Sequence, residues 1–275
     1  MRILTWNLWW RFGSWEARQD VIAAELARVD PDVVLLQEVW ADGERDQAVE
    51  LAAPNRMQVA RTHNLTGSRL GRPHEFGNAV LSRWPVRTLE QVALSGPTGE
   101  PSHRSALAVQ VDAPTSPIVV VVTHLAWEYD KSELREQQLF EVVALVDRHR
   151  SPDPTSPPVI LGGDFNAVPE SDEIRRLTGL SRPYLPGLVF TDVWDAVGDG
   201  PGHTWTRDNP NSDEALWPRR RLDYLFVSWP RAKGFANPVS AELVGVEPRG
   251  AVVGSDHYGV MAELDDRPLP ETATE

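Results

Sequence analysis

Apolar side chains in this chain occur mostly in short continuous runs, and two longer stretches repeat them at helical spacing. The first run predicts a strand at residues 3–8. A helix is predicted at residues 15–29, ended by an Asp-Pro pair, and the run that follows predicts a buried strand at residues 32–37. The chain therefore opens with a strand, a helix and a second strand.

Later parts of the chain are richer in predicted strands than in helices. The further strands are predicted near residues 77–82, 86–94, 104–111, 118–122, 159–161, 222–227 and 258–264. The longest helix is predicted at residues 130–148, and a less regular stretch at residues 181–220. Because helices first separate the strands and strands then follow one another directly, the pattern favours two packed sheets flanked by helices. We expect one domain over residues 1–265 and a flexible tail at residues 266–275.

The run at residues 159–166 combines a predicted buried strand with polar residues at its end. Gly162 and Gly163 are expected to end the strand, so that Asp164 and Asn166 emerge at its carboxyl edge. In layered α/β folds ligands gather where such strands end, which favours a functional site. Turn formation explains Asp and Asn equally well when this run is considered alone.

The same combination recurs at other predicted strands. Polar residues at or near strand ends are Asn7, Glu38, Thr123, His124, Asp223, Asp256 and His257, in addition to Asp164 and Asn166. Each has a structural explanation on its own, such as a turn, an exposed position or a strand-start cap. Their recurrence instead favours a single site built from several strand ends.

These residue types permit a narrow range of chemistry. Asn, Asp and Glu supply the hard oxygen ligands that suit Mg²⁺ or Mn²⁺, and two histidines supply proton transfer near neutral pH. The sequence has no glycine-rich loop of the P-loop type, which disfavours nucleotide-driven phosphoryl transfer. Metal-assisted attack of water on a phosphoester fits this combination best.

Composition narrows the class of protein further. The 275 residues include 41% hydrophobic and 24% charged residues, which are ordinary values for a globular protein. There is no cysteine, so any metal must be held by oxygen or imidazole ligands. No apolar run approaches the ~20 residues that cross a bilayer, and the sequence opens without a secretory signal pattern. We therefore expect a cytoplasmic protein.

The charge balance bears on the substrate. With 27 basic and 40 acidic residues, the net charge is −13, which disfavours avid, sequence-blind binding of DNA. Local basic groups can still accept a phosphate, and the candidates are Arg219-Arg220-Arg221 and the set Arg61, Arg69 and Arg72. Solvated loops are the alternative explanation for both groups.

The short motifs that contain these polar residues resemble those of the endonuclease/exonuclease/phosphatase superfamily. They are Trp6-Asn7, Gln37-Glu38, Thr123-His124, Gly163-Asp164-Phe165-Asn166, Leu222-Asp223-Tyr224 and Ser255-Asp256-His257, in the order found in that group. The resemblance spans residues 6–257. It implies a DNase I-like, four-layer α/β/β/α sandwich with the site at one edge of the two sheets. It also implies a Mg²⁺-dependent phosphoester hydrolase, with Mn²⁺ as an alternative ion.

The resemblance implies a metal-binding part of the site. Glu38 would be the principal Mg²⁺ ligand, with Asn7 beside it and Asp256 as a second ligand. His257 would be oriented by Asp223 and would act as general base or as a donor to the transition state. A carboxylate that accepts one imidazole N–H fixes the tautomer and favours the charged ring.

The resemblance also implies groups that handle water and phosphate. Asp164 would position or activate the attacking water, and Asn166 would hold a phosphate oxygen. His124 would act as general acid or phosphate ligand. Asn78 is implied to face the phosphate.

Two further positions are aligned less closely with the superfamily pattern. Arg104 falls where members present a phosphate-facing group, and a structural arginine at a sheet edge is the alternative. Glu75 falls in the region that supplies a carboxylate partner to the histidine at position 124.

Tryptophan is unusually frequent, with 11 Trp against 4 Tyr and 7 Phe. Those near proposed site residues are Trp9, Trp10, Trp40, Trp127 and Trp205. Their rings are suited to stacking a nucleobase or gripping a lipid or sugar, and core packing is the alternative. Alternation along a strand favours one of Trp9 and Trp10 pointing outward.

Three hypotheses for the function remain at this point. The favoured one is a divalent-metal phosphodiesterase or phosphatase that acts on a small or lipid-linked substrate. The second is a DNA or RNA nuclease of the same fold, which predicts activity that falls steeply with salt. The third is a non-catalytic binding module, which is disfavoured because the proposed catalytic groups are all present. The oligomeric state and the leaving group are left open.

Overall fold

The structure, a computed structural model, describes residues 1–62, 65–66, 74–98, 101–153, 155–212, 218–231 and 233–268. Arg69 and Arg72 lie outside the described residues, and so does the part of the predicted tail at residues 269–275. Within the described residues, the chain forms two sheets with helices on their outer faces.

Strands and helices alternate first and strands then dominate, as the sequence predicts. The strands are β1 (Arg2–Asn7), β2 (Val33–Ala41), β3 (Gln58–Arg61), β4 (Leu65–Thr66), β5 (His74–Ser82), β6 (Val86–Ser95), β7 (Pro101–Val111), β8 (Ile118–His124), β9 (Ile160–Asp164), β10 (Val189–Asp192), β11 (Asp223–Trp229), β12 (Pro238–Val244) and β13 (Gly259–Leu264). The helices are α1 (Trp15–Val29), α2 (Gln47–Ala52), α3 (Ser132–His149), α4 (Asp172–Leu177) and α5 (Val193–Val197). A short 3-10 turn spans Ala53–Asn55.

Each sheet contains one parallel pair among otherwise antiparallel neighbours in the described chain. The first sheet has the order β12-β13-β1-β2-β5-β3, with β4 also paired to β5, and β1 runs parallel to β2. The second has the order β10-β11-β9-β8-β7-β6, and β8 runs parallel to β9. The carboxyl ends of each parallel pair therefore lie side by side, where the sequence has its polar motifs.

Three apolar clusters fill the spaces between four layers. The first lies between the sheets and includes Leu35 of β2 and Val122 of β8. Their neighbours Leu36 and Val121 point to the opposite faces, because side chains alternate along a strand. Val121 joins the cluster under α3 and α4, and Leu36 joins the cluster under α1 and α2. The predicted four-layer α/β/β/α sandwich is thereby confirmed.

The glycine pair of β9 does not end the strand, contrary to the sequence-based expectation. The strand continues through Gly162 and Gly163 to Asp164. At Gly163, where φ is 148°, an added Cβ would lie 1.9 Å from the carbonyl oxygen of Thr123 on β8. Glycine is therefore required by the close approach of two strands, and it keeps Asp164 inside the sheet.

Several elements were not predicted, and their exposure or length explains why. The edge strands β3 and β12 are partly exposed, and polar residues occupy many of their positions. Their sequences therefore contain no continuous apolar run. Helices α2, α4 and α5 have 6, 6 and 5 residues, which is too short for a helical period to show. The stretch expected to be less regular contains β10 and α5.

None of the helices in the described part of the chain is both long enough and apolar enough to cross a bilayer.

Candidate active site

The polar residues predicted to form a site surround one open cleft at the ends of strands from both sheets. The cleft has a volume of about 580 Å³ and is lined by Asn7, Trp9, Phe12, Glu38, Phe76, Arg104, His124, Trp127, Asp164, Asn166, Trp205, Arg220, Leu222, Asp256 and His257. Asp223 is fully buried behind it and contacts His257. Residues near both ends of the sequence therefore converge.

Strand register puts Asp164 at the centre of the arrangement. Strand β9 lies between β8 and β11, and Asp164 is paired with His124 on one side and with Asp223 on the other. From the first sheet, Asn7 at the end of β1 donates from Nδ2 to Oδ2 of Asp164 at 3.0 Å. The two sheets are thus joined by a direct hydrogen bond at this point.

Glu38 reaches the cleft through an irregularity in β2. The pairing of β2 with β5 shifts register between Leu36 and Val39, and the φ of Glu38 is 55°. Such a conformation costs a non-glycine residue about 1–2 kcal/mol, and bulges of this kind redirect a side chain. Oε1 of Glu38 accepts from Asn7 Nδ2 at 3.4 Å, whereas Oε2 is buried with no hydrogen-bond partner in the described part of the chain.

The electrostatic surroundings of Glu38 favour the protonated acid unless a cation is supplied. Burial and then the negative charge of Asp256 raise the pKa of Glu38 to about 7, against the opposing effects of Arg104 and His257. Burial likewise raises the pKa of Asp256, against the effect of His257 and Arg18. Two buried carboxylates that disfavour their own charge form a site at which a cation is stabilising.

The amide of Asn7 has a fixed orientation. Its oxygen Oδ1 accepts from the backbone N–H of Trp9 at 2.9 Å, so its nitrogen Nδ2 faces Asp164 and Glu38. One lone pair of Oδ1 is left for another donor or a cation. The role of Asn7 as a metal ligand stays a prediction, and its role in orienting two carboxylates is visible directly.

Asp164 is a buried carboxylate with several donors. Burial and then the neighbouring charge of Asp223 raise its pKa to about 6. The amide of Asn7 and the backbone N–H of Asn166, which donates to Oδ1 at 2.9 Å, act in the opposite direction. A carboxylate with this pKa is well matched to accepting a proton near neutral pH.

His257 and Asp223 form the predicted imidazole–carboxylate pair. Nδ1 of His257 lies 2.8 Å from Oδ2 of Asp223, and Nε2 lies 3.9 Å from Oδ2 of Asp164. Burial by itself would lower the pKa of His257, but Asp223, Asp164 and Asp256 together raise it well above the usual value. The imidazole is therefore protonated at neutral pH.

His124 has the opposite environment. Nη1 of Arg104 lies 2.6 and 2.7 Å from the two ring nitrogens of His124. Burial, then Arg104 and His257, lower the pKa of His124 well below its usual value. A guanidinium only donates and a neutral imidazole has one acceptor nitrogen, so at most one of these two contacts is a hydrogen bond, and that one requires a neutral ring. Nε2 of His124 also lies 3.4 Å from Asp164 and 3.9 Å from Glu38.

Three of the residues implied by the resemblance have other contacts. Asn166, at φ 50°, lines the cleft and donates from Nδ2 to the Leu125 carbonyl at 3.2 Å. Asn78 does not line this cleft; its Nδ2 donates to the Ser105 carbonyl at 2.9 Å, linking β5 to β7. Glu75 forms an ion pair with Arg61. Their predicted roles toward phosphate and histidine stay predictions.

Aromatic side chains form much of the remaining wall of the cleft. Trp9, Phe12 and Phe76 line it, as do Trp127 and Trp205. Trp127 is 66% exposed and Phe12 is 42% exposed, so these rings are available to a ligand. Such rings bind flat, apolar groups by stacking.

Of the arginine run, one member belongs to the cleft. Arg220 lines it, with its guanidinium carbon 4.5 Å from the ring centre of Tyr129 and 5.0 Å from that of Trp205. Arg219 pairs with Asp208, and Arg221 forms a buried pair with Asp192. The sequence pattern indicated the run Arg219-Arg220-Arg221 but did not indicate which of the three arginines faces the cleft.

The other tryptophans near the motifs divide between core and loop. Trp40 is 1% exposed and packs edge-on against Trp15. Trp10 is partly buried and donates from Nε1 to the Glu75 carbonyl at 3.3 Å. The expectation that one of the Trp9-Trp10 pair faces outward agrees with Trp9 lining the cleft.

The donor set suits a divalent cation. Glu38 has an unpaired buried oxygen, and Asp256 is a second carboxylate on the cleft. A separate buried group, Asp164, Asp223 and His257, has ligand atoms within 4.8 Å of one another. In that group Nδ1 of His257 is already engaged by Asp223. We therefore give Glu38 and Asp256 more weight as ligands.

The sandwich fold and the buried cluster of carboxylates and imidazoles define a DNase I-like phosphoester hydrolase. The sequence profile described as the Endonuclease/Exonuclease/phosphatase family matches residues 4–257. The chain belongs to this family, and the family, the fold class and the reaction class predicted from the sequence are confirmed.

Individual relatives are distant in sequence. Protein angel of Drosophila melanogaster is 26% identical over 270 residues, covering 91% of this chain and 72% of that protein. Truncated Caenorhabditis elegans TDP2 superposes with a TM-score of 0.71 at 20% identity, covering 95% of this chain and 96% of that one.

Two further solved structures carry ligands. D. rerio TDP2 complexed with single strand DNA product has a TM-score of 0.70 at 22% identity, with 95% and 97% of the two chains covered. The human Nocturnin catalytic domain with bound sulfate anion has a TM-score of 0.69 at 20% identity, with 95% and 92% covered. At these identities the likeness establishes the fold.

Proposed function

We propose that the protein is a Mg²⁺-dependent hydrolase of phosphoesters that carry a flat aromatic group, such as a nucleotide or the end of a single-stranded nucleic acid. The observation that carries the proposal is the convergence of Glu38, Asp164 and His257 on one cleft. Hard oxygen donors, a carboxylate with a pKa near neutrality and a charged imidazole are the components that hydrolysis of a phosphoester needs.

Glu38 and Asp256 are the residues proposed to hold Mg²⁺, with Asn7 beside them. When bound, the ion supplies positive charge that stabilises negative charge developing on the phosphoryl group. The unpaired oxygen of Glu38 and the raised pKa of both carboxylates support this assignment. Mg²⁺ is preferred because oxygen is the only donor atom in this set.

Asp164 is proposed to accept a proton from the attacking water. Hydrogen bonds from the Asn7 amide and from the backbone N–H of Asn166 hold the carboxylate in one orientation. Its pKa of about 6 gives the carboxylate a basicity suited to neutral pH. His257, kept charged by Asp223, is proposed to donate from Nε2 to a phosphate oxygen. A charged donor strengthens that hydrogen bond as negative charge develops.

Neutral His124 and its partner Arg104 are proposed to bind the phosphate from the side opposite His257. Arg104 is a permanent cation beside the ring, and both line the cleft. Asn166 contributes an amide at the rim. These assignments divide the site into a proton-transfer side and a phosphate-binding side.

The cleft wall is the basis for the substrate class. Exposed Trp127 and the Arg220 guanidinium between Tyr129 and Trp205 offer flat surfaces beside the phosphate-binding groups. A nucleobase stacks on such surfaces, and the complex of D. rerio TDP2 with single strand DNA product supports this choice. The net charge of −13 argues against tight binding of long duplexes. Small-molecule and lipid-linked phosphoesters, favoured by the sequence, are the competing class.

A substrate panel tests the proposal. Bis-p-nitrophenyl phosphate, single-stranded DNA, RNA, plasmid DNA, abasic duplex, sphingomyelin and inositol phosphates would be compared with Mg²⁺ and with EDTA. We expect Mg²⁺-dependent cleavage of the aromatic diester and of single strands, at rates at least about tenfold above duplex DNA. His257→Ala is the matched control for contaminating activity. Exclusive cleavage of sphingomyelin or inositol phosphates would overturn the nucleotide assignment.

A further inference from the structure

Arg18, on the first turns of α1, has the most extensively hydrogen-bonded guanidinium beside the cleft. Nη1 donates to the carbonyls of Leu8 and Gly254, each at 2.8 Å. Nη2 donates to the carbonyls of Trp9 and Trp10 at 3.0 Å and of Phe12 at 2.8 Å. The side chain is 2% exposed. One side chain therefore holds five backbone acceptors from two loops.

The first loop held in this way, residues 8–12, is conformationally demanding. Trp9 and Trp10 have φ values of 57° and 36°, two successive non-glycine residues in the left-handed region. Such residues persist where surrounding contacts enforce them. Arg18 binds the carbonyl of each of the two and also lies 4.7 Å from the Trp9 ring centre. The guanidinium is thus a contact that stabilises the strained loop.

The loop at residues 8–12 fixes the orientation of the Asn7 amide in the proposed site. The backbone N–H of Trp9 donates to Oδ1 of Asn7, which leaves Nδ2 directed at Asp164 and Glu38. Trp9 and Phe12 also form one wall of the cleft. If the loop relaxed, the Asn7 amide would lose the contact that fixes its orientation.

The second loop leads directly into the proposed metal and proton-transfer residues. Gly254 precedes Ser255, whose hydroxyl donates to the Asn7 carbonyl at 2.6 Å. Asp256 and His257 follow in sequence. Arg18 therefore ties the backbone that follows Asn7 to the segment that carries His257.

Charge distinguishes Arg18 from other buried arginines. Arg135 and Arg221 are ion-paired with Glu173 at 2.9 Å and with Asp192 at 2.7 Å. In the described part of the chain, Arg18 has no ion pair of this kind. Burial lowers the pKa of Arg18 to about 10, and the acids that oppose this effect are Asp256 and Glu38.

We propose that Arg18 is a positioning residue for hydrolysis, acting through the loops at residues 8–12 and 254–257. This inference rests on the proposed function for its kinetic part. Because misplacement of reacting groups by about 1 Å costs on the order of 10²-fold in rate, losing the guanidinium should affect kcat more than KM.

The test compares Arg18→Met and Arg18→Lys with Arg221→Met, a buried control that removes an ion pair away from the cleft. On bis-p-nitrophenyl phosphate with Mg²⁺, we expect Arg18→Met to lower kcat about 10²-fold with KM changed less than threefold. Arg18→Lys keeps the charge but has three donors for five acceptors, so its kcat should be about tenfold higher than that of Arg18→Met. Arg221→Met should keep kcat within about threefold once corrected for the folded fraction.

Hydrogen exchange supplies a measurement that does not depend on activity. Backbone amides at residues 8–12 and 254–257 should exchange at least about tenfold faster in Arg18→Met than in the parent. Their exchange rates should be unchanged in Arg221→Met. If Arg18→Met does not fold, Arg18→Lys carries the same comparison. Folded Arg18 variants with parental kcat or parental exchange would overturn the inference. Failure of the parent to cleave any phosphoester would contradict the proposed function. The exchange rates would still show whether Arg18 stabilises the loops at residues 8–12 and 254–257.

Discussion

The two histidines of the cleft are similarly buried, with Nε2 of His124 and of His257 at 3.4 and 3.9 Å from Oδ2 of Asp164, yet their surroundings shift their pKa values in opposite directions. Burial lowers the pKa of both. Around His257 three carboxylates outweigh burial, whereas beside His124 the cation of Arg104 adds to it. Since burial acts in the same direction on both rings, it is the sign of the neighbouring charge that separates their protonation states.

This asymmetry divides the labour of the proposed reaction. Charged His257, with Asp223 behind it, suits donation to an anionic phosphate oxygen. Neutral His124 beside the cation of Arg104 suits binding of the phosphate. Asp164, which lies 3.4 Å from His124 and 3.9 Å from His257, is shared by the two imidazoles.

The largest expected effect comes from removing the charged histidine. His257→Ala should lower kcat by about 10²–10⁴-fold, because it removes a positioned proton-transfer or charge-stabilising group. Steady-state kinetics at saturating Mg²⁺ measure this, with His149→Ala, a histidine outside the cleft, as the control. Full activity of His257→Ala would remove this residue from the reaction and break the proposed asymmetry.

The burial of Glu38 should make the free energy of unfolding depend on pH. The pKa of Glu38 is about 7 in the fold and 4.5 in an unperturbed chain. A raised value means that stability is fully present below pH 4.5 and is lost as the pH rises through 7. At about 1.4 kcal/mol for each pH unit, the loss is ~3 kcal/mol. The melting temperature in EDTA should therefore fall from pH 5 to pH 8, and less steeply in Glu38→Gln. Parallel curves for the two proteins would contradict this.

The same substitution should weaken metal binding. Glu38→Gln removes the negative charge proposed to hold Mg²⁺, so the concentration giving half-maximal rate should rise at least about tenfold, or ~1.4 kcal/mol. Mg²⁺ should also raise the melting temperature of the parent more than that of the variant, because a ligand held only by the fold stabilises it. An unchanged titration would rule out Glu38 as a principal ligand.

The smallest effect sharpens the comparison on the opposite side. Arg104→Met removes a cation beside His124, so the pKa of His124 should rise. It should stay below the usual value because burial is the larger cause. NMR titration of the imidazole protons reports this directly, and His257 in the same spectrum is the internal control. An unmoved His124 resonance would mean that Arg104 does not set its charge.

Much of the site could be predicted because its residues follow buried strands. Glu38, His124 and Asp164 come two or three residues after apolar runs, and a polar residue there needs an explanation that a core does not provide. What the sequence could not supply was the register of β9 between β8 and β11. That register makes Asp164 the common neighbour of His124 and Asp223, and it is a property of three strands far apart in sequence.

Arg18 escaped prediction because its local pattern is that of an exposed helix charge. It lies between Ala17 and Gln19 near the start of α1, where arginine is common and normally solvated. Its burial depends on where residues 8–12 and Gly254 pass, which no local spacing reports. The same reasoning applies to Asn78, whose amide is used by a carbonyl of the other sheet.

Strand β13 follows immediately after His257 and is hydrogen-bonded between β1 and β12. During translation, a growing polypeptide carries Glu38 and Asp164 long before it carries the imidazole that completes the cleft. If His257 acts as proposed, a nascent chain becomes competent for hydrolysis only after this segment has left the ribosome and paired with β1.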